Sequence, residues 1–146
     1  MIRQTTLAAS LIAFASLAHA QTTPAGLWKT IDDDTKKEKS LVRITENNGV
    51  FTGRIEKLLD PATDPKSVCA DCTDDRKDKP VLGLDILRGI KKSEADATVY
   101  EGGTIVDPKN GKSYRARLKP VAGGAQMEMR GYIGPFFRTH VWQRVE

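Results

Sequence analysis

The sequence offers few side chains that could perform chemistry, and its two cysteines are the most closely spaced of them. Cys69 and Cys72 form a Cys-x-x-Cys motif inside an aspartate-rich segment. In an oxidising compartment such a pair is expected to form a disulfide, and a redox-active pair or a metal site are the alternatives. Neighbouring carboxylates disfavour a reactive thiolate, and a zinc site would need a second pair of ligands. We therefore predict a structural disulfide that fixes a loop.

Histidine chemistry would depend on His140, because the other histidine, His19, lies in an N-terminal segment with the features of an export signal. A Ser/His/acid or Cys/His centre would have to use His140, but the sequence contains no nucleophile-elbow motif. The acidic run at 32–34 lacks the alternate spacing and closing glutamate of a calcium-binding EF-hand loop. We therefore expect no enzymatic activity, no bound metal and no cofactor.

Positive charge is spread along the chain, with a formal net charge of +4. Single-strand nucleic-acid binders interleave basic residues with a series of stacking aromatic residues, and this sequence has no such series. We interpret the basic residues as the solvated face of a sheet and expect no nucleic-acid partner. The most basic region contains Lys109, Lys112, Arg115, Arg117, Lys119 and Arg130.

The N-terminal residues have the pattern of a secretory signal peptide. Arg3 precedes an uncharged stretch, 7–17, that is too short to span a bilayer, and 18–20 has the small-x-small pattern of a signal peptidase site. We expect residues 1–20 to be cleaved and residues 21–146 to form one domain in the periplasm. A retained membrane helix is the alternative, but no second apolar segment follows, so we expect no transmembrane segment.

Period-two alternation of apolar and polar residues dominates the rest of the chain and predicts strands. The clearest case is 112–119, where Tyr114, Ala116 and Leu118 share one face. Turn signals rich in Gly and Asn separate several of these segments. The predicted strands lie at 27–31, 40–46, 49–58, 82–90, 98–106, 112–119, 125–132 and 137–145.

About eight antiparallel strands with little helix must close on themselves, or stack as two sheets, to protect their edges. Hairpin signals at 47–49, 107–111 and 122–124 indicate that neighbouring strands pair. We therefore predict the all-β class, with a single small antiparallel up-and-down β-barrel.

Two segments fit this pattern less well. The apolar residues of 81–92 also match helical spacing, although Gly83 and Gly89 favour a strand. The segment 60–80 is rich in Pro and Asp, and we expect it to be a long loop of the kind that often carries function.

The sequences of the first and last predicted strands predict how the barrel closes. First and last strands are neighbours in a closed barrel, so Trp28 should meet Arg138 or Arg144 in a cation–π contact that plugs one end. The run Gly26-Leu27-Trp28 is similar to the Gly-x-Trp motif of lipocalins, where the tryptophan of the first strand packs against a late arginine. In contrast to a typical lipocalin, we expect no C-terminal helix in this sequence.

Six sequence blocks, in order, resemble a family of small exported bacterial proteins known as domain of unknown function 2147. The resemblance implies a periplasmic, lipocalin-like (calycin-type) β-barrel and no assigned activity. Tyr100 stands where that family is expected to have Trp, and His140 where it is expected to have Gln, so neither is expected to be an essential chemical group. The blocks are 26–28, Cys69 with Cys72, 83–87, 100–105 with 107–114, 130–134 and 138–142.

The interior of the barrel determines the predicted function. An eight-stranded barrel is just wide enough either to fill itself with side chains or to hold one small ligand. We predict a protein that binds or carries a small apolar or amphipathic ligand without catalysis, although the same residues would suit a filled core. The candidate lining residues are Phe51, Ile55, Tyr114, Ala116, Met127 and Met129.

Two other functions are left open by the sequence. One is an envelope interaction or structural module without a ligand cavity, in which 134–137 presents a surface to a partner. The other is a disulfide-handling protein, an interpretation that depends on Cys69 and Cys72 alone.

Overall fold

The computed structural model describes residues 22–146, and within them eight antiparallel strands form a closed barrel. Each strand pairs with the next, and the last pairs with the first, so the prediction of an up-and-down barrel is confirmed. Residues 1–20, the predicted signal peptide, lie outside the described residues. The strands are β1 Gly26–Ile31, β2 Glu38–Asn47, β3 Val50–Leu58, β4 Asp85–Lys92, β5 Tyr100–Val106, β6 Ser113–Val121, β7 Gln126–Ile133 and β8 Phe136–Arg144.

Strand β4 is the segment whose spacing also suggested a helix, and its register explains the resemblance. Opposite β3, the pairing shifts between Gly53–Leu87 and Arg54–Asp85, so Ile86 and Leu87 are both buried despite being adjacent. Such bulges insert an extra residue and break the period of two. The apolar spacing of β4 therefore reflects an irregular strand.

One end of the barrel is closed by Trp28, which is 0% exposed. The guanidinium of Arg144 lies 4.2 Å from the centre of the Trp28 ring. The indole Nε1 donates a hydrogen bond to the carbonyl of Pro24 at 2.7 Å, which satisfies the polar atom of this buried ring. Because Arg138 is exposed and lies six positions earlier on β8, Arg144 is the arginine that meets Trp28.

Arg144 also holds together three parts of the closed end. Its guanidinium donates hydrogen bonds to the carbonyls of Thr23 and Ala25, both at 2.7 Å, and to the carbonyl of Gly124. The first two belong to the segment that enters β1, and Gly124 belongs to the 3₁₀ turn Ala122–Gly124 between β6 and β7. The stacked arginine thus satisfies backbone carbonyls around the plug while covering its ring.

The half of the barrel next to Trp28 is filled by side chains. The rings of Phe51 and Tyr100 meet edge to face, with their centres 5.2 Å apart. Inward-facing residues from the other strands complete this packing, and several of them have no measurable exposure. They include Val42, Ile90, Leu118 and Met127.

The connecting loop, residues 59–84, is ordered against the outside of β4 and the turn after β5. Arg76 is buried, pairs with Asp74 at 2.6 Å and donates a hydrogen bond to the carbonyl of Asp85 at 2.8 Å. Hydrogen bonds from Arg76 lower the pKa of Asp74 to about 2. A second ion pair joins Asp75 to Arg88 of β4 at 2.7 Å. These contacts hold the loop beside the end of the barrel opposite to Trp28.

Among the residues that the structure describes, no helix is long and apolar enough to cross a membrane.

The closure of the barrel generates a stability prediction. Trp28→Ala removes a fully buried indole at the seam of the first and last strands, so it should lower the free energy of unfolding by about 3–5 kcal/mol in a denaturant titration. Arg138→Ala is the control: this arginine is exposed, and its removal should change stability by less than about 0.5 kcal/mol. Equal effects of the two substitutions would show that Trp28 does not close the barrel.

Candidate functional site

The open end of the barrel contains a cavity of about 730 Å³. This volume lies within the range of about 300–1,000 Å³ typical of small-molecule sites. Its lining includes the end of β1, the start of β2 and residues between 136 and 142 of β8, which places its mouth at the opposite end from Trp28. The lining includes Thr30, Ser40, Ile55, Ile86, Ile105, Tyr114, Met129, Gly131, Arg138, His140 and Trp142.

The floor of this cavity is apolar. Ile55, Ile86, Ile105, Met129 and Trp142 are all buried and supply branched, thioether and aromatic surface. Such a surface favours hydrocarbon, because each methylene removed from water gains about 0.8 kcal/mol. The floor can therefore receive an alkyl chain or a ring system.

Three of the six predicted lining residues lie on the cavity wall, namely Ile55, Tyr114 and Met129. The structure places the other three, Phe51, Ala116 and Met127, outside the lining, where all are buried. Alternation predicts which side chains point inward, but it does not predict how far along the barrel axis they lie. These three are inward-facing residues of the filled part of the barrel, so for them the filled-core interpretation applies.

The cavity becomes polar towards its mouth because β8 carries polar side chains on its inner face. The register pairs Met127 with Trp142, Met129 with His140 and Gly131 with Arg138, and paired residues share a face. His140 and Arg138 therefore follow Trp142 on the inner face, in order towards the mouth.

His140 contacts the β1–β2 loop through its imidazole. Its Nδ1 lies 2.5 Å from a carboxylate oxygen of Asp33, and its side chain is about one-third exposed. No serine, threonine or cysteine of residues 22–146 forms a hydrogen bond with His140. The pair thus has an acid and an imidazole but no nucleophile, and its evident effect is to join the loop to β8 beside the mouth.

Arg138 differs from His140 because no carboxylate of the described chain pairs with it. Lys39 adds a second cation to the lining, and the hydroxyls of Thr30 and Ser40 hydrogen-bond to each other at 2.8 Å in the wall. The carboxylate in the lining is that of Asp107, and one of its oxygens accepts the backbone N–H of Lys109 at 2.9 Å. The lining itself thus carries two cations, Lys39 and Arg138, against one carboxylate, while Asp33 lies at its edge in contact with His140.

Gly131 creates part of the free volume. Its backbone is not in the left-handed region, and a Cβ built there would lie 3.4 Å from the Cβ of Tyr114, an ordinary contact distance. The missing side chain thus leaves room on the inner face of β7, directly opposite Arg138. Within the described ranges there is no cluster of three or more histidine, cysteine or acidic residues that could hold a metal ion.

The cysteines lie away from this cavity. Cys69 and Cys72 form a disulfide with their Cα atoms 5.4 Å apart, and both side chains are buried in the hydrophobic cluster that includes Val81 and Leu84. The backbone of Asp71, between the two cysteines, packs against Gly111 so closely that no Cβ would fit there. Burial of both sulfurs favours the structural interpretation over thiol exchange.

A family model described as an uncharacterized protein conserved in bacteria, domain of unknown function 2147, matches residues 26–144. The chain belongs to this family. The match runs from the first residue of β1 to Arg144 and therefore includes both partners of the Trp28–Arg144 contact.

One solved structure, protein HP1028 of Helicobacter pylori, is described as belonging to the lipocalin family. It is similar to this chain with a TM-score of 0.69 and 20% identity, and the alignment covers 84% of this chain and 82% of that chain. At this identity the likeness shows the fold, a lipocalin-like barrel. No curated protein sequence matches the chain.

Sequence reasoning missed most of the cavity, including Ile105, Gly131 and Trp142. One signal was available: Arg138, His140 and Trp142 occupy alternate positions of one strand. Two polar side chains on an inner face are unfavourable in a filled core, so their presence indicates that this part of the barrel is hydrated or open.

The cavity wall and the filled part of the barrel should respond differently to added volume. Gly131→Leu projects into free space and should change the free energy of unfolding by less than about 1 kcal/mol, whereas Ala116→Phe should cost about 1–3 kcal/mol through overpacking. The two positions face each other across β6 and β7, so they form a matched pair. Denaturant titration measures both, and the reverse order of stability would place the free volume beside Ala116.

Proposed function

We propose that this protein binds one small amphipathic ligand, with an apolar chain on the cavity floor and an acidic head group at the mouth, and performs no chemistry on it. The observation that carries the proposal is the gradient of polarity along the inner face of β8. Trp142 lies at the floor, and Arg138 lies at the mouth without an acidic partner among residues 22–146.

The apolar part of the ligand gains free energy from the floor. A buried hydrocarbon chain replaces water against Ile86, Ile105 and Met129. Methionine adapts its shape to irregular ligands, so the floor does not require one rigid ring system. A chain is therefore favoured over a polar metabolite of the same size.

The acidic head group of the proposed ligand is inferred from the two cations of the cavity lining, Arg138 and Lys39. Arginine presents a planar fork of donors that matches a carboxylate or phosphate oxygen pair, and Lys39 adds a second positive charge to the rim. The open position of Arg138 limits the gain, because exposed ion pairs are worth up to about 1 kcal/mol. Most of the affinity should therefore come from the chain, and Arg138 should set the preference for an acid.

This division of roles predicts a selective effect of Arg138→Gln. The variant should bind dodecanoic acid about fivefold more weakly than the unaltered protein, but it should bind the methyl ester with unchanged affinity, since the ester has no charge to lose. Displacement of a fluorescent fatty-acid probe measures both affinities.

Two controls accompany this measurement. Arg130→Gln removes an arginine from the outer face of the neighbouring strand and should leave both affinities unchanged. Gly131→Leu places an isobutyl group in the cavity beside Arg138 and should weaken binding of acid and ester alike. Binding of the probe by Gly131→Leu with full affinity would contradict the proposal, because the ligand would then lie outside the cavity.

The place of action is also proposed, on the sequence of residues 1–20 alone. Export to the periplasm followed by cleavage after Ala20 would leave a chain that begins at Gln21. Native mass spectrometry of protein recovered from the periplasm of its host should show that chain with one amphipathic molecule bound. A chain that retains residues 1–20 would contradict the location, and a ligand-free mass for the gently isolated protein would favour the interaction module.

A further inference from the structure

The β7–β8 hairpin ends in exposed apolar side chains. Ile133, Phe136 and Phe137, here called the apolar tip, are 57%, 77% and 52% exposed. They surround the turn at Gly134-Pro135 and lie on the rim of the cavity. Two phenylalanines and an isoleucine held in water at one hairpin end are unfavourable unless something covers them.

Two arginines on the outer face of the sheet accompany the apolar tip. The guanidinium of Arg130 lies 4.5 Å from the centre of the Phe137 ring, and that of Arg115 lies 5.4 Å from the centre of the Tyr132 ring. The Tyr132 and Phe137 rings are themselves 5.5 Å apart. Arg115 and Arg130, here called the arginine flank, are thus stacked in place beside the tip.

The arginine flank keeps its charge uncompensated. Arg115 donates to the carbonyl of Gly134 at 3.1 Å, and Arg130 donates to the hydroxyl of Thr139 at 3.0 Å. In the part of the chain that the structure describes, neither arginine forms an ion pair with a carboxylate. Both can still bind an external anion through their remaining N–H groups.

The positive charge of the arginine flank and the small area of the apolar tip together indicate which partner covers this surface. A second copy of the chain docked tip to tip would bring like-charged arginine flanks together around the symmetry axis, which is unfavourable. Three side chains are also too few for a stable protein interface, which buries more than about 1,000 Å². A bilayer needs no shape complementarity, and phenylalanine and isoleucine enter its interface while arginines bind its phosphates.

We propose that the β7–β8 hairpin docks this protein on the surface of an anionic phospholipid bilayer, with the apolar tip in the interface and the arginine flank at the phosphates. Asp32, Asp33 and Asp34 also lie near the mouth, in the loop joined to β8 by His140. Their charge opposes contact of the whole rim, so the hairpin alone makes the contact. This docking does not require that the cavity bind a ligand.

Flotation with phospholipid vesicles tests the docking without any cavity ligand. The mature chain should float with vesicles of phosphatidylcholine and phosphatidylglycerol, and less with pure phosphatidylcholine or at raised salt. The double variant Arg115→Gln/Arg130→Gln should lose about tenfold in affinity for the anionic vesicles. Phe136→Ser/Phe137→Ser should lose at least as much, and Leu82→Ser, which alters an exposed apolar residue of the connecting loop, should lose nothing.

A reporter variant makes the test independent of losses caused by misfolding. Trp28 and Trp142 are buried, so the tryptophan of Phe136→Trp is the solvent-exposed reporter among the described residues. Its emission should shift to the blue with anionic vesicles and stay unchanged with phosphatidylcholine.

Three outcomes would overturn the docking. They are absence of flotation, equal flotation of the Phe136→Ser/Phe137→Ser variant with an unchanged melting temperature, and a concentration-dependent dimer in sedimentation that this variant abolishes. The last would assign the tip to a second copy of the chain. Because no ligand is added, failure of the ligand proposal would leave this result unaffected.

Discussion

The contact of Arg144 with Trp28 is the interaction on which the rest of the barrel depends. The seam between β1 and β8 pairs only Trp28 with Arg144 and Lys29 with Gln143 in register. This register is the shortest in the sheet, and backbone hydrogen bonds of Leu27 with Val145 and Glu146 extend the seam beyond it. The stacked guanidinium adds side-chain contacts at this seam and connects it to the carbonyls of the entering segment and of the β6–β7 turn. The Trp28 end of the barrel is therefore plugged, and the cavity lies at the other end.

The position of the cavity follows from where large and small side chains lie along the barrel axis. Phe51, Leu118 and Met127 occupy the half beside Trp28, where all three are almost completely buried. Nearer the mouth, the inner face carries short residues such as Thr30, Ser40 and Gly131. A barrel of eight strands has nearly constant width, so the change in side-chain volume divides it into a filled half and an open half.

Alternation and turn chemistry were enough to predict the eight strands and their order. Every second side chain of a strand points to the same face of the sheet, so the apolar positions identify the inner face. These patterns were not enough to select between Arg138 and Arg144. Both lie at even positions of one strand and share its inner face, so only the register of β8 against β1 determines which arginine reaches Trp28. The same limit explains why Ala116 was assigned to the cavity wall: its partner Gly131 is on that wall, but Ala116 is not. The bulges of β4 depend on contacts with β3 and were not visible in its own residues.

Successive residues of β7 and β8 point to opposite faces of the sheet. This alternation separates the two proposed roles of the open end, which are ligand binding and docking on a bilayer. Arg138 lies on the inner face, opposite Gly131, while Arg130 lies on the outer face, opposite Thr139. Moving either arginine by one position would exchange its environment, since adjacent residues point to opposite faces of a sheet. One hairpin can therefore meet lipid phosphates with its outer face and a ligand head group with its inner face. If both proposals hold, an alkyl chain entering the cavity from a bilayer would pass Ile133 and Phe136, which belong to the cavity lining. Such a path reduces the exposure of hydrocarbon to water during transfer, which is the main free-energy cost of removing a lipid from a membrane.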